Sequence, residues 1–168
     1  MHIVLLRGIN VGGHNKLPMA EFKDVLTGLG ARDVQTYIQS GNAVMQGDIA
    51  TSTIADAIEA AKGFRPAVMT VSLEAFTEIA NANSFPTDDG KLLHVWFLTE
   101  KPAFDFAKAN ALAIPSEQYL VTDRAIYLHA PDGIGRSKLA AAMEKIAGVP
   151  ATARNWNTVA KLLALANP

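Results

Sequence analysis

The hydrophobic pattern of this chain passes through one order of elements twice. Alternating apolar residues and turn signals predict a strand over 3–8, a helix over 18–29, strands over 33–39 and 42–46, a helix over 51–63 and a strand over 67–72. A connecting helix over 73–80 and a polar loop over 81–90 follow. The order then returns, with a strand over 92–99, a helix over 103–112, strands over 117–123 and 125–129, a helix over 137–147 and a short strand over 151–154. A last helix starts near Trp156, with Val159, Leu162, Leu163 and Ala166 at core-facing spacing and Asn155 placed to cap it.

Each βαββαβ series is the order of a ferredoxin-like half, an antiparallel sheet carrying two helices on one face. The other face is left bare. Val4 and Leu6 alternate with Ile3 and Leu5, and Val95 and Phe97 with Trp96 and Leu98, so both central strands call for burial on both sides. The expected fold is therefore α+β: two tandem ferredoxin-like subdomains packed as one globule, plus a C-terminal helix. The expected divisions are 1–72, a connection over 73–91, and 92–168. In that arrangement the halves shield each other's open faces, or a second chain does, which leaves monomer and homodimer both open.

Composition fits a folded chain. At 168 residues, with 49% hydrophobic and 18% charged, it is long enough to bury roughly 70% of its unfolded surface. The absence of cysteine excludes disulfides and thiolate metal sites. The apolar run Ile3–Leu6 meets Arg7 at once, too short for a secretory core or a membrane span, so a cytoplasmic protein with no membrane partner is expected. Charge is uneven along the chain. Residues 133–168 hold Arg136, Lys138, Lys145, Arg154 and Lys161 against Glu144 alone, while the rest is net acidic.

Between the first strand and helix lies Arg7-Gly8-Ile9-Asn10-Val11-Gly12-Gly13-His14-Asn15-Lys16, with no carboxylate in it. Its glycines allow backbone N–H groups to turn toward a guest, Arg7 and Lys16 supply charge, and Asn10 and Asn15 supply fixed donors and acceptors. The spacing matches neither a P-loop nor a dinucleotide fingerprint. A plain connection, with Pro18 opening the helix at its first position, is the rival reading. Topology should bring this loop near Gln39-Ser40-Gly41-Asn42, a hairpin whose Ser-Gly pair suits a two-residue link. The segment reads first as a plain hairpin, while alternation places Gln35, Tyr37 and Gln39 on one face, where the Gln39 amide is in position for a ligand lying across it. The fourth strand of each half is expected to finish at that same end, placing Thr152-Ala153-Arg154-Asn155 there in the second half.

Two helix starts add cations. Gly135-Arg136-Ser137-Lys138 offers exposed N–H groups beside two basic side chains, or else Ser137 or Asp132 simply caps the helix. At the second start Arg154 and Asn155 are the candidates, and Trp156 reads as core. The ligand-binding candidates are thus Arg7, Asn10, Asn15, Lys16, Gln39, Ser40, Asn42, Arg136, Lys138, Arg154 and Asn155.

Catalytic signals are thin. His2, His14, His94 and His129 lack metal-ligand spacing, and Ser40 and Ser137 have no neighbouring base, so neither a metal, a cofactor nor a nucleophile is indicated. RNA binding through the sheet needs aromatics on the third strand, where Ala43, Val44, Met45 and Gln46 stand. Single-stranded nucleic acid along the basic C-terminal segment is a weaker alternative to a small anion, and a dimeric partner-binding module is a third.

The motifs Leu5-Leu6-Arg7-Gly8-Ile9-Asn10-Val11-Gly12-Gly13, Asn15-Lys16-Leu17-Pro18-Met19, Tyr37-Ile38-Gln39-Ser40-Gly41-Asn42, Gly133-Ile134-Gly135-Arg136-Ser137-Lys138-Leu139 and Ala151-Thr152-Ala153-Arg154-Asn155-Trp156-Asn157-Thr158 occur in order. With them the chain closely resembles, over nearly its whole length, the bacterial family called domain of unknown function 1697. That resemblance implies tandem ferredoxin-like subdomains. It supplies no mechanism and no catalytic residue to carry over.

Overall fold

The computed structural model describes residues 1–167. Their elements run β1 (His2–Arg7), α1 (Met19–Gly28), β2 (Arg32–Tyr37), β3 (Asn42–Gln46), α2 (Thr51–Lys62), β4 (Ala67–Ser72), α3 (Leu73–Asn81), β5 (Leu93–Leu98), α4 (Phe106–Leu112), β6 (Gln118–Val121), β7 (Ala125–His129), α5 (Lys138–Ala147), β8 (Ala151–Asn155) and α6 (Trp156–Ala166). One sheet has the order β2-β3-β1-β4 and the other β6-β7-β5-β8, every pairing antiparallel. Both are ferredoxin-like.

The chain divides into two compact units, residues 1–78 with 160–168, and residues 79–159. The end of α6 therefore groups with the first unit, where Leu165 lines a cleft of about 790 Å³ together with Met1, Thr27 and Val34.

In the first unit Val4, Leu6, Ala43 and Met45 share the core with Phe22 and Leu26 of α1 and Ile54 and Ile58 of α2. Alternation turns Ile3, Leu5, Asn42 and Val44 to the other face, and all four are fully buried too. In the second unit Trp96, Ile126 and Leu128 pack with Ala109 of α4 and Leu139, Met143 and Ile146 of α5, while Val95, Phe97 and Tyr127 occupy the buried opposite face.

The two series repeat beyond their sixth element. His2 pairs with Ser72, whose hydroxyl accepts from the Ala75 N–H at the start of α3, and His94 pairs with Asn155, whose side chain accepts from the Thr158 N–H at the start of α6. The helices expected as a connector and a tail are thus equivalent seventh elements.

Several expected boundaries move, each for a local reason. Pro18 precedes α1 with extended ψ (144°) rather than forming its first turn. Residues 103–105 are not helical, because the N–H groups of Ala103 and Asp105 bond to Ala147 and Ile146 at the end of α5, and Asp105 then caps α4. The β2–β3 link has four residues, 38–41, since Tyr37 pairs with Asn42 and the Asn42 amide donates to the Tyr37 carbonyl. Gln39 therefore sits in the turn and not on a strand face. Ser137, not Asp132, caps α5 after a 3-10 turn over Ile134–Arg136.

Candidate functional site

Where β1 ends, the first unit gathers seven of the expected side chains on two loops. Within residues 8–16, Asn10 and Asn15 face each other through the Asn10 N–H to Asn15 carbonyl bond (3.0 Å), and the His14 N–H closes on the Val11 carbonyl (2.9 Å). Gly12 (φ 58°) and Gly13 (φ 77°) form the two-residue turn between them, a backbone that side chains with a Cβ rarely adopt. These glycines build a small hairpin standing into solvent.

Asn10 fastens that hairpin. Its amide donates to the carbonyls of Leu17 (2.9 Å) and Gln39 (2.8 Å), and its oxygen accepts from the Leu17 N–H (2.8 Å). Asn15 donates to the Gly8 carbonyl at 2.8 Å. Both hold left-handed backbone, φ 52° in each case, which asparagine tolerates better than most residues. Asn42, fully buried, donates to the Tyr37 carbonyl and to Ser40 Oγ, 2.9 Å in each case. The amides of Asn10, Asn15 and Asn42 thus organise the chain itself. What faces outward is Lys16, His14 and Gln39, with Arg7 half-buried at the strand end.

Residues 8–16 and 38–41 carry no carboxylate of their own. No Asp or Glu occurs in residues 1–20 or 34–47. The carboxylates of Glu21, Asp56 and Glu59 on the neighbouring helices are taken by Lys62 and Arg65. Lys16 is exposed and has no ion-pair partner among the described residues.

Arg136, Lys138, Arg154 and Asn155 lie differently from expectation. β8 is antiparallel to β5, with Leu98 opposite Ala151 and His94 opposite Asn155, so Arg154 and Asn155 sit where β5 begins. An edge strand antiparallel to the central one starts, rather than finishes, where the central strand ends. The same correction applies to β4, which pairs Arg7 with its first residue, Ala67. The loop carrying exposed Arg136 and Lys138 also leaves from the end where β5 begins, because His129 pairs with Leu93. Arg154 itself is 9% exposed, on the sheet face shared with Val95, and donates to the Ala153 carbonyl at 2.8 Å. Burial pushes its guanidinium down to about 10, so it remains charged at neutral pH. Asn155 is occupied as the α6 cap, accepting from the Thr158 N–H and hydroxyl at 3.0 Å each.

Two exposed apolar residues went unnoticed among the polar motifs. Val11 is 67% exposed on the hairpin, and Ile38, 47% exposed in the β2–β3 link, carries φ 47°. The signal for Ile38 was its place one residue past a regular strand. No cluster of three metal-binding side chains occurs among the described residues, and no helix there is long and apolar enough to cross a membrane.

The family described as "Protein of unknown function (DUF1697)" matches residues 1–127. The chain belongs to the DUF1697 family. A solved structure described as that of the conserved bacterial protein SP0830 from Streptococcus pneumoniae is similar to this DUF1697 chain, with 25% identity, a TM-score of 0.71, and coverage of 99% of this chain and 98% of that one. No curated protein matches it.

Proposed function

We propose that this DUF1697 protein binds a small phosphorylated or carboxylated molecule at the end of its first unit, between the 8–16 hairpin and the 38–41 link. The observation that carries this reading is exposed Lys16 and His14 on loops that hold no carboxylate of their own and are already fixed by Asn10 and Asn15, next to Arg7 at the end of β1. Cations on a pre-organised backbone lose little freedom when an anion arrives. Asn10, Asn15 and Asn42 support the site, Gln39 and Ser40 border it, and Arg7 and Lys16 carry the charge. Arg136, Lys138, Arg154 and Asn155 are left out of this anion site, since Arg154 is buried in β8 and Asn155 caps α6. The same burial removes a cation from the basic C-terminal surface that a nucleic acid needs.

Thermal unfolding against a panel of inorganic phosphate, sugar phosphates, nucleotides and dicarboxylates tests it. A ligand at about 100 times its Kd stabilises by about 2.7 kcal/mol, which for a chain of this size raises Tm by about 5–10 °C. The shift should vanish in Lys16→Ala and fall in Arg7→Gln. A panel without any stabiliser, or a shift untouched by both changes, overturns the reading.

A further inference from the structure

Resting on that anion site, we infer that its ligand carries a flat aromatic or heteroaromatic ring beside the anionic group, as a nucleoside monophosphate does. The chain holds two aliphatic side chains out in water at this one end. Continued alternation from Tyr37 would turn Ile38 toward the helix-side core of the first sheet. Its backbone instead takes φ 47°, a region in which a β-branched residue is a true outlier, and the side chain is left 47% exposed. Strain of this kind persists only where surrounding structure imposes it, and it collects at ligand-binding sites.

Val11, 67% exposed, is its counterpart on the hairpin. The bond from Asn10 Nδ2 to the Gln39 carbonyl joins the immediate chain neighbours of Val11 and Ile38, so the two aliphatic groups stand on backbones tied to each other. Val11 also bridges His14, an antiparallel pairing that puts the imidazole on the same face as the valine. A bare phosphate or carboxylate has no use for such neighbours. Two aliphatic walls and an imidazole beside Lys16 and Arg7 match a molecule whose one part is planar and apolar and whose other part is an anion.

The experiment compares the affinities of inorganic phosphate, ribose 5-phosphate, phenyl phosphate and AMP for the full chain by calorimetry. AMP and phenyl phosphate should bind about tenfold tighter than ribose 5-phosphate, the gain from covering one ring face with two aliphatic side chains. Ile38→Gly relieves the positive φ and so keeps the fold, and Val11→Ser is a solvent-exposed change; together they should bring AMP to within about twofold of ribose 5-phosphate while Lys16-dependent binding of ribose 5-phosphate persists. Equal affinity of AMP and ribose 5-phosphate for the unaltered protein overturns this inference and leaves the anion site standing, as does an AMP preference that survives the double change. Failure of all four compounds to bind defeats the anion site and the inference with it.

Discussion

Gly41 and Leu6 are held together twice over: the Leu6 N–H donates to the Gly41 carbonyl at 2.8 Å, and a Cβ on Gly41 would lie 2.7 Å from the Leu6 Cβ. The same added atom would meet Ile9 Cδ1 at 2.7 Å, and Gly41 has φ 86°. This contact seats the β2–β3 link against the strand that launches the 8–16 hairpin. Gly41→Ala should therefore cost about 2–4 kcal/mol, combining a positive-φ penalty with overpacking. Gly13→Ala, with φ 77° but open space around it, should cost only about 1 kcal/mol. Urea unfolding of both variants checks the difference, and equal losses would show that the close approach is slack.

The Asn10 side chain combines four hydrogen bonds, the longest to Gln39 Oε1 at 3.4 Å, with a left-handed backbone. Asn10→Ala should destabilise by about 2–3 kcal/mol, and Asn10→Gly by about 1 kcal/mol less, because glycine removes the backbone penalty while the lost bonds stay lost. Denaturant midpoints measure this, and faster protease cleavage within 8–16 should accompany the loss.

Tyr127 is buried, and its hydroxyl donates to the Ile79 carbonyl in α3 at 2.5 Å. Tyr127→Phe should cost about 1–2 kcal/mol. Burial raises its phenol to about 12, so its stabilising contribution is complete below the ordinary value of 10.0 and disappears as pH climbs toward 12. Unfolding followed between those values should show a steeper alkaline loss in the unaltered protein than in Tyr127→Phe.

His94 presents the opposite sign. Burial lowers its pKa below the ordinary 6.5, its Nδ1 is buried with no hydrogen-bond partner among the described residues, and its ring tilts against Trp96 at 6.1 Å. The folded state resists the proton, so stability is full above 6.5 and falls as pH drops below it. His94→Gln should flatten stability against pH in that window. An identical slope in both proteins would assign the acid loss to other groups.

Much of this protein was legible along the chain, for reasons visible in particular segments. The period-two patterns of residues 3–6 and 93–98 and the helical stripe Leu139, Met143, Ile146 report burial directly, because each side chain's face follows from its local backbone period. The Asn155 cap and the meeting of the 8–16 and 38–41 loops followed from residue chemistry and strand order. The roles of Asn10 and Asn15 did not. Their side chains suit a ligand or a carbonyl of the same chain equally well, and only the fold shows that Leu17, Gln39 and Gly8 have claimed them.

The sequence by itself determined the doubled element order, the two-sided burial of the central strands and the absence of acid from residues 1–20 and 34–47. These rest on local periodicity and composition. Tertiary structure decided that Arg154 is enclosed in β8, that Asn155 sits where β5 begins, and that Val11 and Ile38 face water on loops tied by one amide. Strand direction and left-handed backbone are settled by pairing across long stretches of chain, which no local pattern records.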